Sequence, residues 1–291
     1  RDIYYRRAKE LGYRARSAFK LLQIDEEFDL FKDVERAVDL CAAPGSWSQV
    51  LSRKLWKDGE DKNSEIRIVG VDLQEMAPIP GVTLLQGDIT SKETAEKIIS
   101  FFKGNKADIV VSDGAPDVTG LHDIDEYIQA QLILAALNIT TFCLRPGGKF
   151  VAKIFRGKDV TLLYAQLQIF FEKVTVAKPK SSRNSSIEAF VVAENYMPPK
   201  DYVPTMVNPM LGKGYGEGNE LTGPNRVIVP FIACGDLSGF DADQSYSLDD
   251  GNVEEAGGKQ ATYVYREPTQ PPINPAYKAA IQLKKKGKLF K

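Results

Sequence analysis

AVDLCAAPGSWSQVL, residues 37–51, is a short apolar strand carrying an acid (Asp39), a tight Ala-Ala-Pro-Gly-Ser turn, and an amphipathic helix beginning near Trp47. A glycine in a strand-to-helix turn lets a ligand come close to the backbone and sets it at a helix N-terminus, where N–H groups point outward. Folds of the α/β class hold nucleotide-like cofactors there, at the carboxyl ends of parallel strands. Gly45 is the only glycine in this turn, so the dinucleotide pattern G-x-G-x-x-G is not met, and the Gly-Lys-Ser/Thr ending of a phosphate loop is missing. Such a turn suits a cofactor with no pyrophosphate to cradle, and S-adenosylmethionine is the candidate.

Outward from this unit, strands and helices alternate. A helix is expected over 14–31, with Phe19, Leu22 and Phe28 among its buried residues. Strands at 37–41, 66–72, 82–86, 108–112 and 149–155 are each followed by a turn or a helix, the helices falling at 46–56, 92–103, 124–144 and 160–172. A Pro-Gly-Gly turn at 146–148 ends the long helix. Strands joined by helical crossovers make a parallel sheet. Two closing strands, 173–178 and 187–194, have no helix between them, which predicts one antiparallel member at the sheet's edge. The expected fold is therefore α/β, a mostly parallel sheet over residues 1–198. Residues 199–291 read differently: from Val227 to Gly258 there are seven acids and no Lys or Arg, with frequent glycines and poor periodicity. This part is expected to be an irregular extension that packs on the domain or docks on a partner or tRNA, not a second globular core.

Three acids are expected at successive strand ends. Asp72 in VGVDLQ can accept the ribose hydroxyls of a nucleoside, and Asp88 in GDIT can accept an adenine amino group. Asp113 in VVSDGAP closes the next strand. Any one of them alone reads equally well as a turn or cap residue. Lys153 lies within FVAKIF, a strand buried on both faces. Desolvating an ammonium there costs several kcal/mol unless it is paired or neutral, and burial favours the neutral base. The alternative is a lysine snorkelling from the strand's open end, but Asp113 on the adjacent strand favours chemistry. Glu188 in SSIEAFVV is an acid in an apolar strand near the same edge. Lys20 in SAFKLL, judged by its own surroundings, belongs on the polar side of a helix.

Composition narrows the classes. At 291 residues and 43% hydrophobic, the chain suits one sizeable α/β domain with an appendage. Cys41, Cys143 and Cys234 form no C-x-x-C pair, so neither a disulfide frame nor a zinc knuckle is indicated. His122 is the only histidine. It is expected in a loop facing substrate, and Asp123, Asp125 and Glu126 beside it read as caps of the long helix, so no metal centre is expected. No apolar run has membrane-spanning length and no secretory leader is visible, which predicts a reducing, cytoplasmic setting without a membrane partner. Opening on Arg1, the chain is expected to lack a short native N-terminus. Net charge is −1, yet residues 1–20 hold seven basic side chains against two acids, and residues 278–291 hold six lysines and no acid. Segregated basic ends can grip phosphates in spite of the total. Arg14, Arg16, Lys178, Lys180 and Arg183 are the RNA-contact candidates. Tyr4, Tyr5 and Tyr13 could stack on bases or pack in the core.

Taken in order, DLCAAPGSWSQ, VDLQ, GDIT, SDGAPDVTG, KIFRG and SSIEAF resemble the FtsJ family of RNA ribose-2′-O-methyltransferases over residues 1–198. GLHDIDEY, VPFIACGDLSGFDAD and PTQPPINPAYKAAIQLKKKGKL extend the likeness to the family's eukaryotic branch acting on the tRNA anticodon loop. The resemblance implies a Rossmann-like class I methyltransferase sheet and S-adenosylmethionine as methyl donor. It carries a Lys-Asp-Lys-Glu catalytic set onto Lys20, Asp113, Lys153 and Glu188, against the reading of Lys20 from its own context. It also implies cofactor contacts at Gly45, Trp47, Asp72, Asp88 and Asp113, with Lys153 as general base. The implied substrate is tRNA, methylated at the first anticodon-loop nucleotide or the wobble nucleotide, with a helper protein of WD-repeat propeller or large helical-repeat type. An rRNA or mRNA-cap ribose methyltransferase and a noncatalytic RNA-binding scaffold are the rival readings. A dehydrogenase is disfavoured by the single glycine of the turn.

Overall fold

A computed structural model describes residues 3–56, 67–115, 122–156, 160–183, 185–206, 222–227 and 278–286. Seven strands form one sheet: β1 (Ala37–Leu40), β2 (Ile68–Asp72), β3 (Thr83–Gln86), β4 (Ala107–Ser112), β5 (Leu144–Phe155), β6 (Phe171–Ala177) and β7 (Glu188–Tyr196). Their spatial order is β3-β2-β1-β4-β5-β7-β6. β1 to β5 pair in parallel, whereas β7 runs antiparallel to both β5 and β6. The antiparallel member thus lies at the β6 edge of the sheet, as the closing pair of strands predicts, with β6 outside it.

The helices are α1 (Ile3–Glu10), α2 (Ala18–Phe28), α3 (Ser46–Leu55), α4 (Lys92–Phe101), α5 (His122–Cys143), α6 (Val160–Phe170) and α7 (Lys278–Lys285). Inner parallel strands are covered on both faces, so alternate residues feed two different cores. Val38, Val69, Val110, Phe150 and Ala152 belong to one core, with Ile98 of α4, Ile139 of α5 and Leu167 of α6. Ala37, Ile68, Ile109, Val111, Val151 and Phe190 belong to the other, with Leu21 and Ile24 of α2 and Trp47, Val50 and Leu51 of α3.

Two boundaries depart from expectation. The N-terminal basic segment forms a separate helix, α1, and the helix expected over 14–31 is shorter, ending at Phe28 with Asp29 in the left-handed region. Residues 146–148 belong to an irregular start of β5, whose register against β4 shifts between Ala107 and Ile109. His122 is the first residue of α5 rather than a loop residue.

The chain divides into compact units at Arg1–Ala233 and Cys234–Lys291. In the first, packing continues past residue 198: the Tyr202 ring meets Phe170 edge-on at 4.9 Å. In the second, the described residues are those of α7 and Lys286, all exposed. Two apolar stretches of the extension's sequence, Val227–Cys234 and Tyr263–Tyr265, lie almost wholly outside the described residues. No helix among the described residues is long and apolar enough to cross a membrane.

Candidate active site

The parallel β4–β5 pairing sets Ser112 opposite Ala152, so Asp113 leaves β4 beside Lys153. Lys153 shares strand parity with Val151 and therefore faces the α2/α3 side. Only 8% of it is exposed. Its Nζ lies 2.6 Å from Asp113 Oδ1 and donates to the Asp113 carbonyl at 2.9 Å. In the antiparallel β5–β7 pair, Phe155 stands opposite Glu188 and Lys153 opposite Phe190. Glu188 is then diagonal to Lys153 on one face, with Oε2 3.8 Å from Nζ.

α2 brings Lys20 over the same spot, 7% exposed. Its Nζ donates to Glu188 Oε2 at 2.7 Å and lies 5.7 Å from the centre of the Phe190 ring. Lys20 thus lies inward, as the resemblance implies and its own context does not. Two buried lysine amines are matched by two carboxylates, the pairing that makes burial tolerable. Burial alone would raise the Glu188 pKa. The charge and hydrogen bond of Lys20, then Lys153 and the Ser182 hydroxyl, outweigh it and hold the carboxyl below its ordinary value. Ser182, which donates to Glu188 Oε1 at 2.8 Å, gave no signal in the sequence, because nothing in its spacing marks it from other loop serines.

Behind these four, α3 and the cofactor turn are fastened from the N-terminal side. Gly45, at φ 104°, is the N-cap of α3, and a Cβ there would meet Ile79 Cδ1 at 2.7 Å and Arg14 Nη1 at 2.8 Å. The Arg14 guanidinium donates to the carbonyls of Pro44, Ala77 and Pro78, each at 2.9 Å. This commits Arg14, an RNA-contact candidate by charge, to clasping the turn. Trp47 is 1% exposed, its indole N–H donates to the Ser17 carbonyl at 2.9 Å, and its ring lies 5.7 Å from Phe190. What Trp47 can offer a ligand at the turn is its backbone N–H, one of the first-turn donors of α3 without an intrahelical acceptor. Ser17 and Ser46 share a hydrogen bond of 2.6 Å, tying the start of α3 to the start of α2, one turn before Lys20.

Asp72 ends β2. Its Oδ2 accepts the Ala43 N–H at 2.9 Å and its Oδ1 the Gln74 N–H at 2.8 Å, so it braces the turn and keeps a lone pair on each oxygen. Asp88 is exposed, and its Oδ1 accepts from the N–H and hydroxyl of Thr90, both at 2.8 Å. A ligand with hydroxyl and amino donors is matched by this rim: the α3 amides, and two carboxylates with spare acceptor capacity. Cys41 adds no thiolate chemistry, since burial and then the Asp72 and Asp39 carboxylates push its pKa up to about 12.

None of the contacts that join the four site residues involves the other basic candidates. Lys178 Nζ donates to the Ser186 carbonyl, Lys180 and Arg183 are exposed, and Arg16 is half-buried. Tyr4 and Tyr13 pack on Phe19, with ring centres at 5.4 and 6.0 Å. The side chains of His122 and Asp123 lie outside the described residues.

The profile of FtsJ-like methyltransferases matches residues 13–196. A mouse protein named tRNA (cytidine(32)/guanosine(34)-2′-O)-methyltransferase is 63% identical over 293 residues, spanning 100% of this chain and 86% of that protein. A Schizosaccharomyces pombe protein of the same name is 56% identical over 287 residues, spanning 98% of this chain and 95% of its own length. The crystal structure of a Plasmodium falciparum protein, provisionally assigned as a ribosomal RNA methyltransferase, superposes with a TM-score of 0.55 at 28% identity. It covers 63% of this chain and 98% of its own.

Proposed function

Because this chain belongs to the FtsJ-like methyltransferase family, we propose that it methylates ribose 2′-hydroxyls of the tRNA anticodon loop at positions 32 and 34, with S-adenosylmethionine as donor. The observation that carries the reading is the buried Lys20–Glu188–Lys153–Asp113 cluster beside the cofactor turn. When bound, S-adenosylmethionine supplies a methyl group on a sulfonium, already activated for displacement.

The residues of the chain do the rest. Gly45 and the first N–H groups of α3 admit the methionine end, while Asp72 takes the ribose hydroxyls and Asp88 the adenine amino group. Lys153, in its neutral form, would take the 2′-hydroxyl proton and keep it as the ammonium, and the freed oxygen would accept the methyl group that S-adenosylmethionine, when bound, supplies. Asp113 and Glu188 fix the position of that amine, and Lys20 neutralises Glu188 so that the carboxylates do not repel one another.

Lys153→Ala is expected to abolish methyl transfer while the dissociation constant for S-adenosylmethionine, measured by calorimetry, stays within a few-fold. Retained turnover would remove the base assignment. We also assign the 199–291 extension to a helper protein of propeller or helical-repeat type, and the enzyme to the cytoplasm. Its acidic, glycine-rich composition supports docking over independent folding.

A further inference from the structure

We propose that the outer face of α1, formed by Tyr5, Arg6 and Lys9, holds an unpaired base and the flanking phosphates of the RNA loop being methylated. The inference rests on the RNA-methyltransferase reading above. At about 100° per residue, Tyr4 and Ala8 point one way from α1, and they are its packed side: Ala8 is buried and Tyr4 lies on Phe19 of α2. Tyr5 lies on the flank next to Ala8, Lys9 and then Arg6 follow around toward the opposite side, and all three are exposed.

Of the three tyrosines interleaved with the N-terminal charges, Tyr4 and Tyr13 are packed on Phe19. Tyr5 is 55% exposed. Lys9 Nζ lies 4.7 Å from the centre of the Tyr5 ring, so a cation already borders the aromatic face. A solvent-facing aromatic bordered by cations on adjacent turns is what an unstacked base and its phosphates recognise: the ring stacks, the cations displace counterions. A paired stem offers no free base face, which favours a loop.

α1 also continues the active-site rim. The Gln23 amide, one turn beyond Lys20 on α2, donates to the Tyr4 hydroxyl at 3.4 Å, and its oxygen accepts the Ser181 N–H at 2.9 Å. Ser182, next in the chain, donates to Glu188. Thus α1, the catalytic amine of Lys20, and the loop bearing exposed Lys180 and Arg183 form one connected edge. RNA lying along it would present a ribose to the amines while a neighbouring base reaches Tyr5.

The test uses the full chain with an anticodon stem-loop RNA and a base-paired RNA of equal length, comparing Tyr5→Ala, Tyr5→Phe and Arg6→Glu/Lys9→Glu. For Tyr5→Ala the KM and dissociation constant for the stem-loop should rise on the order of tenfold, with kcat and cofactor affinity unchanged. Tyr5→Phe should restore wild-type values. The double charge reversal should flatten the salt dependence of binding, by about one unit of slope per lost phosphate contact. Unchanged stem-loop affinity in Tyr5→Ala, or equal losses for loop and paired RNA, would overturn the proposal. So would unchanged RNA affinity together with lost capture of a helper protein, which would give this face to a protein partner. A wild-type chain unable to methylate tRNA would remove the functional reading, and the titration with the stem-loop would still decide the role of α1.

Discussion

Asp39 is fully buried on β1. Its Oδ2 accepts the Ser48 hydroxyl at 2.6 Å, while Oδ1 has no hydrogen-bond partner among the described residues. Burial, opposed by the Ser48 hydrogen bond and assisted by the Asp113 and Asp72 charges, raises its pKa from 3.8 to about 7. The folded protein then keeps this proton where the unfolded chain has lost it. The stability it confers is full below pH 3.8 and declines as pH rises to about 7. Asp39→Asn keeps an acceptor for Ser48 and cannot ionise. Melting temperatures of variant and wild type should agree below pH 3.8 and separate as pH rises, the gap becoming complete above about 7 with the variant melting higher. Coincident curves throughout would show that Asp39 does not titrate. Single residues were unevenly legible. An ammonium inside an apolar strand is anomalous from its neighbours alone, so Lys153 was readable. A helix lysine has exposed and buried neighbours whichever way it faces, and what turns Lys20 inward is Glu188, distant in the chain. Trp47 is legible only in part: adjacency to the turn suggests a ligand contact, and the ring of this second residue of α3 points into the core, which leaves its backbone N–H for that contact.

The element that secures the site from behind is α5. The Gln129 amide, buried on that helix, donates to the Lys153 carbonyl at 2.9 Å and to the Gly114 carbonyl at 3.2 Å. It therefore stitches the ends of β4 and β5, the two strands that deliver Asp113 and Lys153. Gln129→Ala leaves two strand-end carbonyls without this donor, a loss of about 1–3 kcal/mol. Thermal melting should show it, and kcat should fall more than the affinity for S-adenosylmethionine. Equal falls in both would mean that Gln129 supports only the fold. Strand and helix positions were mostly apparent from apolar runs and their spacing, because inner strands covered on both sides leave continuous hydrophobic stretches. α1 was not, since eight residues burying Ala8 alone carry almost no periodic signal. The β5 start was missed because Pro146, Gly147 and Gly148 resemble a turn, whereas here they sit in an irregular ladder.

For the molecule as a whole, the compositional change after Pro199 marked an extension, but not where packing stops. Tyr202 still covers Phe170, and the Asn225 side chain bonds both backbone groups of Val203. Two truncations separate these roles. Removing 207–291 should leave cofactor affinity near wild type and reduce tRNA methylation at specific positions. Removing 199–291 should in addition lower the melting temperature, because Phe170 loses its cover. Full tRNA activity in the shorter deletion would contradict a docking role for the extension. The order of the sheet has one more effect. The residues proposed to hold the methyl donor end at Asp113, whereas Glu188 arrives with β7, which inserts between β5 and a β6 already synthesised. The cluster is therefore completed only when the last-synthesised strand enters the sheet: Glu188, the partner of both amines, and Phe190, part of the core behind them, arrive together.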